Sequence, residues 1–376
     1  MADVIVIGSG IIGCSVAYRL AKGGANVTVI EGGALASGTS ATSFAWINAN
    51  NKPPLAYHRL NLAGMTEHAR LREEFDGAPW LHVHGNVMWG DSSRVASSDD
   101  ALIDKVGRLR EWGYPVALLT HAELADLQPA LAPADDVRTI AYFPTEGYVD
   151  VRLLIAQLTR AATALGVRII TQQQVVGIVM EGQRIVGVRT ADGSQLAADV
   201  VVSCTGRWTD RVTELTGTPI PMAPTLGLLV TSSPTVTSLR TLVHTNAANM
   251  RPEGGSRILM ASYQIDNLLR EDDSPTRLAD YARQVHERAA TVLPALADST
   301  IDRYRLATRA IPGDGYPVVG TIAGLDGFYV ASTHSGVTMG PLLGRIVASE
   351  ILTGAADERL ETFRPDRLLA TSAAGG

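Results

Sequence analysis

The chain has 376 residues, of which 46% are hydrophobic and 19% are charged, so it is long enough for two domains and apolar enough to bury a sizeable core. Its formal net charge of −6 and the lack of any long basic run argue against a nucleic-acid partner. No apolar run approaches the length of a membrane span, and the first strand begins at residue 4, which leaves no room for a signal peptide, so a cytoplasmic location is expected.

The chain opens with an order of elements that is typical of a nucleotide-binding βαβ unit. Residues 4–7 form a continuous apolar run, which predicts a buried strand of a parallel sheet. A helical stretch extends to about Lys22, and residues 27–30 read as a second strand. Glu31 follows that strand, 23 residues after Gly8, where an acid can hydrogen-bond the ribose hydroxyls of a dinucleotide.

The pattern Gly-x-Gly-x-x-Gly lies between the first strand and the helix. Gly8 permits the tight turn, Gly10 lets the backbone approach a pyrophosphate, and Gly13 lets the helix pack against the strand. The helix would begin near Ile11 and Ile12, and its N-terminus would offer N–H groups and the positive end of its dipole to phosphates. Strand, glycines, helix, second strand and acid together predict a bound dinucleotide.

The rest of the chain alternates helices with short strands. Hydrophobic periodicity and turn residues predict helices over 55–75, 101–112, 121–127, 151–165, 275–292 and 341–353, and strands over 167–170, 175–180, 185–189 and 200–203. We expect the strands between 167 and 189 to form a meander. Pro341 suits the first position of the last helix, whose N-terminus would point at residues 336–339.

A stretch of small and hydroxyl-bearing residues follows Glu31 and favours FAD over NAD. Residues 36–43 read ASGTSATS, and such side chains let the backbone come close to the diphosphate and ring of a flavin. Further glycine-containing segments occur at 200–208 and 333–341. Loop N–H groups and a helix N-terminus at the latter segment would stabilise the negative charge of a reduced flavin.

Four segments together resemble the D-amino acid oxidase and glycine oxidase superfamily of flavoproteins. They are residues 31–43, 200–208 (VVVSCTGRW), 309–320 (RAIPGDGYPVVG) and 333–341 (THSGVTMGP). The resemblance extends from residue 4 to about residue 354. It is specific for the superfamily and not for any one substrate.

The resemblance implies an α/β (α+β) fold with two domains. A glutathione-reductase-like FAD-binding domain, discontinuous in sequence, would consist of residues 1–85, 145–224 and 310–376. A substrate domain with a mixed sheet and helices would consist of residues 86–144 and 225–309. The active site would lie between the two domains, where clefts usually form.

The resemblance also implies FAD held without a covalent bond. No cysteine follows Cys204, and no histidine lies between residues 31 and 57, which are the regions where some members of the superfamily attach the flavin. The residues that we expect to contact FAD are Gly8, Gly10, Ile11, Ile12, Gly13, Glu31, Gly32, Thr39, Ser40, Thr42, Ser43, Val175, Val176, Thr205, Gly206, Trp208, His334, Ser335, Gly336, Val337 and Thr338. The two cysteines fit no metal-ligand spacing, and no metal is expected.

Arg309 is the residue predicted to bind substrate. An arginine that matches this position in the superfamily binds the carboxylate of an amino acid, and a guanidinium suits a bidentate carboxylate clamp. Glycine oxidases carry a tyrosine in a strand of the substrate domain where this chain has Asn249, which indicates an altered pocket. Tyr263 and His244 are weaker pocket candidates, and Arg305 is close to Arg309 in sequence.

The expected activity is oxidation of an amino acid C–N bond, in glycine, an N-substituted glycine or a D-amino acid. A hydride would pass from the α-carbon to flavin N5, the imine would hydrolyse, and dioxygen would reoxidise the flavin. The alternative is a dehydrogenase of a D-amino acid or a 2-hydroxy acid that passes electrons to another acceptor. Residues 38–43 and 336–341 argue against an NAD-linked enzyme, and the acidic balance argues against a flavoprotein that modifies RNA. The sequence does not indicate the oligomeric state.

Overall fold

The computed structural model describes residues 2–90 and 99–372. Its strands, in chain order, are β1 (Asp3–Ile7), β2 (Asn26–Ile30), β3 (Trp46–Ile47), β4 (Leu81–His82), β5 (Asn86–Trp89), β6 (Ala117–Leu119), β7 (Ile140–Phe143), β8 (Gly147–Val149), β9 (Arg168–Ile170), β10 (Val175–Glu181), β11 (Arg184–Thr190), β12 (Gln195–Ala197), β13 (Val200–Ser203), β14 (Thr225–Ser232), β15 (Leu242–Thr245), β16 (Asn249–Glu253), β17 (Arg257–Ala261), β18 (Ile301–Arg309), β19 (Val318–Ile322) and β20 (Leu325–Ser332). Its α-helices are α1 (Ile11–Lys22), α2 (Leu55–Glu74), α3 (Asp99–Glu111), α4 (His121–Leu127), α5 (Val151–Ala164), α6 (Thr209–Glu214), α7 (Tyr263–Asp266), α8 (Pro275–Val292), α9 (Gly336–Thr353) and α10 (Asp366–Ser372). Within these described ranges, no helix is long and apolar enough to cross a membrane.

The first sheet has a parallel core with the strand order β9-β2-β1-β13-β20. Strand β11 extends it by pairing parallel with β20, and β10 and β12 each pair antiparallel with β11. Strand β19 pairs antiparallel with β20. The predicted meander from residue 167 to residue 189 is therefore wrong for its first strand, because β9 pairs parallel with β2. The long helix α5 precedes β9 and provides the crossover that a parallel pair requires.

Close helix packing covers this sheet beside the glycine motif. Helix α1 is buried along most of its length and packs against α5 and α9. A Cβ atom on Gly344 of α9 would lie 2.6 Å from Ser15, and one on Gly64 of α2 would lie 2.6 Å from the carbonyl oxygen of Thr338. Because these two glycines have no side chains, the backbone of α9 can lie in direct contact with α1 and α2.

The second sheet has the strand order β18-β14-β17-β16-β15-β5-β7-β6. It is mixed, because β15 pairs parallel with β5 while its other neighbours are antiparallel. Its strands all fall within residues 86–144 and 225–309, and helix α8 buries one apolar face against it. The predicted fold class is confirmed, while the proposed domain boundaries stay a prediction. A small sheet of β3, β8 and β4 occurs where the chain passes between the two larger sheets.

The last long helix begins five residues before the predicted start. Helix α9 starts at Gly336, and Pro341 lies inside it. Proline has no N–H to donate to the carbonyl of Val337 four residues earlier, and the side chain of His68 replaces it with Nε2 at 2.8 Å from that oxygen. Burial lowers the pKa of His68 to about 4, so the ring is neutral and its one N–H lies on Nε2. Residues 336–339 are thus the first turn of the helix and not a loop before it.

Candidate active site

A large cavity of about 1550 Å³ lies between the first and the second sheet. Every residue predicted to contact FAD lines it except Gly13, and Arg309, Asn249, Tyr263 and His244 line it as well. Pockets for one small ligand are typically 300–1,000 Å³, so this cavity has room for a dinucleotide and a small second molecule.

The glycine turn at one end of the cavity fits a diphosphate. Gly8 has φ of +100°, and a Cβ there would lie 2.7 Å from the carbonyl oxygen of Cys204. The N-cap residue of α1, Gly10, has no side chain to cap the helix, and the N–H of Ile11 donates to Ser40 Oγ at 3.1 Å. The first turn provides further N–H groups and a positive dipole end that suit an anionic group.

Gly13 has a packing role that the glycine pattern predicts for its third position. A Cβ on Gly13 would lie 2.0 Å from the carbonyl oxygen of Gly8. Gly13 therefore keeps α1 against the turn, while Gly8 and Gly10 line the cavity. Gly13 does not line the cavity, so its position does not support the expectation that it contacts FAD.

Glu31 ends the second strand and holds the glycine turn in shape. Its Oε2 accepts hydrogen bonds from the N–H and the hydroxyl of Ser9 at 2.9 and 2.8 Å, and its Oε1 accepts from the N–H of Gly33 at 2.8 Å. A carboxylate has about four lone-pair sites, so one site remains for a ribose hydroxyl at the cavity wall.

Replacing Glu31 by alanine should weaken FAD binding without unfolding the chain. The loss of a charge-assisted hydrogen bond to ribose should cost about 1.5–3 kcal/mol, or roughly 10- to 150-fold in Kd. Titration of apoprotein with FAD measures this directly. Glu181→Ala removes another strand-end acid that does not line the cavity and is the matched control. Equal FAD affinity in the two variants would show that Glu31 is only a strand-end acid.

The other end of the cavity is closed by the first turn of α9. Ser335, Gly336, Val337 and Thr338 line the wall, and the Ser335 hydroxyl lies 2.7 Å from the hydroxyl of Tyr57. No side chain caps this 18-residue helix at Ser335. Its N-terminal N–H groups and dipole would stabilise negative charge in the cavity, as predicted for a loop at the same residues.

Arg309 lines the cavity but is not a free cation. Its side chain crosses β14 at Gly227, where a Cβ would lie 2.5 Å from Nη2. Nη2 donates to the carboxylate of Asp266, and Nη1 donates to the carbonyl of Leu226. The Asp266 side chain is only 4% exposed, and its other oxygen accepts from the N–H of Leu228 at 2.8 Å. Burial raises the pKa of Asp266, and the neighbouring Arg309 opposes that rise.

Two other arginines of the second sheet, Arg305 and Arg251, do not line the cavity. Arg305 is exposed on β18. Arg251 is buried, donates from Nε to the carbonyl of Phe44 at 2.7 Å, and pairs with Glu253 at 2.6 Å. Arg270, which sequence reasoning did not single out, does line the cavity, and its guanidinium donates to the carbonyl of Leu269 at 2.8 Å. Arg309 is therefore the one predicted arginine that the fold brings to the site.

A buried carboxylate next to the cavity was missed by sequence reasoning. Glu146 accepts hydrogen bonds from Trp46 Nε1 at 2.9 Å, Asn86 Nδ2 at 2.9 Å and the Tyr114 hydroxyl at 2.8 Å. Burial raises its pKa to about 7. Asn86 Oδ1 in turn lies 2.8 Å from Nδ1 of His244, which lines the cavity together with Trp46. These residues are isolated polar positions in the sequence, and no motif connects them.

The fold and the cavity together define a dinucleotide-binding protein with a second sheet that covers the site. A family model described as FAD dependent oxidoreductase (DAO) matches residues 3–350. The chain belongs to this family, and the protein is an FAD-dependent oxidoreductase. The superfamily resemblance read from the sequence is thereby confirmed.

Individual relatives agree with this assignment. The chain is 27% identical over 374 residues to a glycine oxidase from Geobacillus kaustophilus, covering 96% of this chain and 94% of the relative. It is 26% identical over 367 residues to a 4-methylaminobutanoate oxidase (formaldehyde-forming) from Paenarthrobacter nicotinovorans, of which it spans 43%. The crystal structure of the Geobacillus glycine oxidase superposes with a TM-score of 0.83 over 97% of this chain and 99% of that chain, and an L-proline dehydrogenase from P. horikoshii with 0.84 over 98% of each, both at 24% identity. These structures share the fold.

Proposed function

We propose that the protein oxidises the C–N bond of an amino acid with FAD bound non-covalently. The observation that carries the proposal is that one cavity contains the dinucleotide turn at Gly8 and Gly10 and the guanidinium of Arg309. The names of its relatives, a glycine oxidase and a methylaminobutanoate oxidase, support the same chemistry. Both names describe oxidation of a carboxylate-bearing amine.

Different residues along the cavity would hold different parts of FAD. Gly8, Gly10 and the first turn of α1 would receive the diphosphate, Glu31 the ribose, and the first turn of α9 the flavin ring. When bound, FAD supplies the acceptor for the hydride, and so for the two electrons, that leaves the substrate carbon. The positive dipole end of α9 would favour the added charge.

The protein's part in the reaction is to orient the substrate. Nη1 of Arg309 donates to the carbonyl of Leu226 and to Thr225 Oγ1, and Nη2 donates once, to a carboxylate. The N–H of Nε and one N–H of Nη2 are therefore left for a substrate carboxylate. The contact with Asp266 fixes the plane of the guanidinium. A substrate carboxylate bound to that guanidinium is then held in one orientation, which fixes the direction of the substrate α-carbon. No acid–base residue is required in this scheme, because the amine reacts as the neutral form.

Acid or heat should release the flavin intact from the yellow protein. Cys14 and Cys204 are the cysteines of the chain, and both are buried. Burial raises the pKa of Cys14 to about 12 and raises that of Cys204 as well, so both stay thiols, which are poor nucleophiles. Chromatography of the acid supernatant should show free FAD. Flavin that precipitates with the polypeptide would contradict non-covalent binding.

The experiment that tests the activity is a substrate panel with two acceptors. Glycine, sarcosine, D-amino acids and 2-hydroxy acids are each supplied with dioxygen or with an artificial electron acceptor. The proposal expects peroxide from at least one amino acid in the presence of dioxygen. Turnover only with the artificial acceptor, or only on a 2-hydroxy acid, would favour the dehydrogenase alternative.

A further inference from the structure

The second sheet presents a row of three residues to the cavity. His244 on β15 is directly opposite Asn249 on β16, and Asn249 is directly opposite Ala261 on β17. All three line the cavity. Residues that are directly opposite in neighbouring strands share a face of the sheet, so the imidazole and the amide stand side by side.

Asn249 carries an acceptor without a donor. The residue is only 4% exposed, and among the described residues its Oδ1 has no hydrogen-bond partner. A buried amide oxygen without a partner costs free energy, which a ligand with an N–H or O–H group would recover. Because Asn249 lines the cavity, that donor would arrive with the substrate.

His244 carries a second acceptor, and its neighbours determine which nitrogen it is. Asn86 donates from Nδ2 to Glu146, so its Oδ1 faces His244 and accepts from Nδ1. Burial lowers the pKa of His244 to about 3, so the ring is neutral and Nε2 carries the lone pair. The indole of Trp46 lies against the imidazole with ring centroids 3.9 Å apart and limits its rotation.

We propose that Asn249 Oδ1 and His244 Nε2 form an acceptor pair for the N–H groups of the substrate amine. The inference rests on the proposed function and deepens it, because it names the group that the second sheet recognises. A neutral primary amine can donate one N–H to each acceptor and keep its lone pair for the imine that forms. A neutral secondary amine can donate to only one of the two acceptors and a tertiary amine to neither, so the substrate class that satisfies the pair is a primary amino acid.

The test compares amino acids with the matching acids that lack the amine. Glycine is paired with acetate and D-alanine with propionate, and each dissociation constant is measured on the holoenzyme from the change in flavin absorbance. Asn249→Leu should weaken binding of the amino acid roughly tenfold or more relative to its amine-free partner. The amine-free acid should bind the variant as well as it binds wild type, because it never used the amide oxygen.

Two asparagine variants serve as controls. Asn50 is 1% exposed, has an amide without a partner in the described part of the chain, and does not line the cavity. Asn50→Leu should therefore leave the affinity ratio, which is the affinity for the amino acid divided by that for its amine-free partner, unchanged. Asn48 lines the cavity and also has an unpartnered Oδ1. If Asn48→Leu lowers the ratio and Asn249→Leu does not, the amine lies at the other wall and the proposal is wrong.

The positioning role of Glu146 is tested with the same ratio. Glu146→Leu removes the oxygen that accepts from Asn86 Nδ2, which leaves the amide free to turn and place an N–H against Nδ1 of His244. The ratio should then fall as it does for Asn249→Leu. Tyr114→Phe removes a different donor from Glu146 without touching Asn86 and should leave the ratio unchanged. If the Glu146 variant and Tyr114→Phe give the same affinity ratio, His244 is not part of the acceptor pair.

The outcomes separate this inference from the proposed function. If an amino acid reduces the flavin and Asn249→Leu leaves the affinity ratio unchanged, the acceptor pair is wrong and the function stands. If wild type binds amino acids more tightly than amine-free acids but none reduces the flavin, the function is wrong and the pair stands. If wild type does not bind either amino acid more tightly than its amine-free partner, the acceptor pair does not bind an amine and the inference is wrong.

Discussion

Arg309→Lys should keep FAD and the ion pair with Asp266 but lose most of the turnover on an amino acid. Lysine provides a point charge, whereas the guanidinium provides a planar edge that fixes the carboxylate in one orientation. We expect a loss of at least tenfold in kcat/KM for lysine. Losing a buried, hydrogen-bonded charge altogether should cost on the order of 2–5 kcal/mol, so a variant without any cation should lose roughly 30-fold to several thousandfold.

The variant without a cation has to be built with the ion pair in mind. Arg309→Ala alone leaves the buried Asp266 carboxylate without its partner, and the resulting instability would obscure the effect on substrate. Arg309→Ala is therefore combined with Asp266→Asn, with Asp266→Asn alone as the control. Steady-state kinetics on the amino acid and on its decarboxylated or esterified analogue provide the comparison. Wild type should discriminate strongly against the analogue and the double variant should not; unchanged discrimination would contradict a carboxylate clamp at Arg309.

Gly13→Ala should lose FAD and destabilise the protein together. Its Cβ would lie 2.0 Å from the carbonyl oxygen of Gly8, and two backbone segments cannot yield as a flexible side chain would. The helix α1 must then move away from the turn, which separates the N–H groups that would receive the diphosphate. We expect at least a tenfold loss of FAD affinity and an unfolding free energy lower by on the order of 1–3 kcal/mol.

Gly107→Ala is the matched control for this prediction. Gly107 lies in α3, and a Cβ there would meet nothing within 4 Å. Alanine in a helix interior should leave stability unchanged or raise it by about 1 kcal/mol, with FAD affinity as in wild type. FAD titration and thermal unfolding of the apoprotein measure both quantities. A Gly13→Ala protein that resembles the control would show that the close approach of α1 to the turn is not required.

Sequence reasoning located the nucleotide turn because its signals are local. Glycines, a strand and a helix within about thirty residues identify the turn without any tertiary information. The sequence predicts that α9 starts at Pro341, because proline favours the first helical turn. The side chain that allows a proline inside the helix is His68, which is 269 residues from Val337 in sequence. The partner of β9 was misplaced because strand pairing depends on a crossover that local periodicity does not report.

The substrate side of the site was less predictable, since its contacts join distant segments. Asp266 lies 43 residues from Arg309, and Glu146 lies 100 residues from Trp46. Neither carboxylate belongs to a motif. Only the fold reveals that Asp266 accepts from Nη2 of the expected clamp and that Glu146 holds Asn86 against His244. Buried polar partners of this kind need the tertiary structure, because their residue types are equally common on protein surfaces.

Anaerobic mixing of the yellow holoprotein with the panel of amino acids is the most direct test of the account. At least one amino acid should bleach the visible absorbance of oxidised FAD in the absence of dioxygen. Hydrolysis of the resulting imine should release one carbonyl product and one amine or ammonia for each FAD reduced. If no amino acid bleaches the flavin while a 2-hydroxy acid does, the substrate bond is C–O and not C–N, and the account is contradicted.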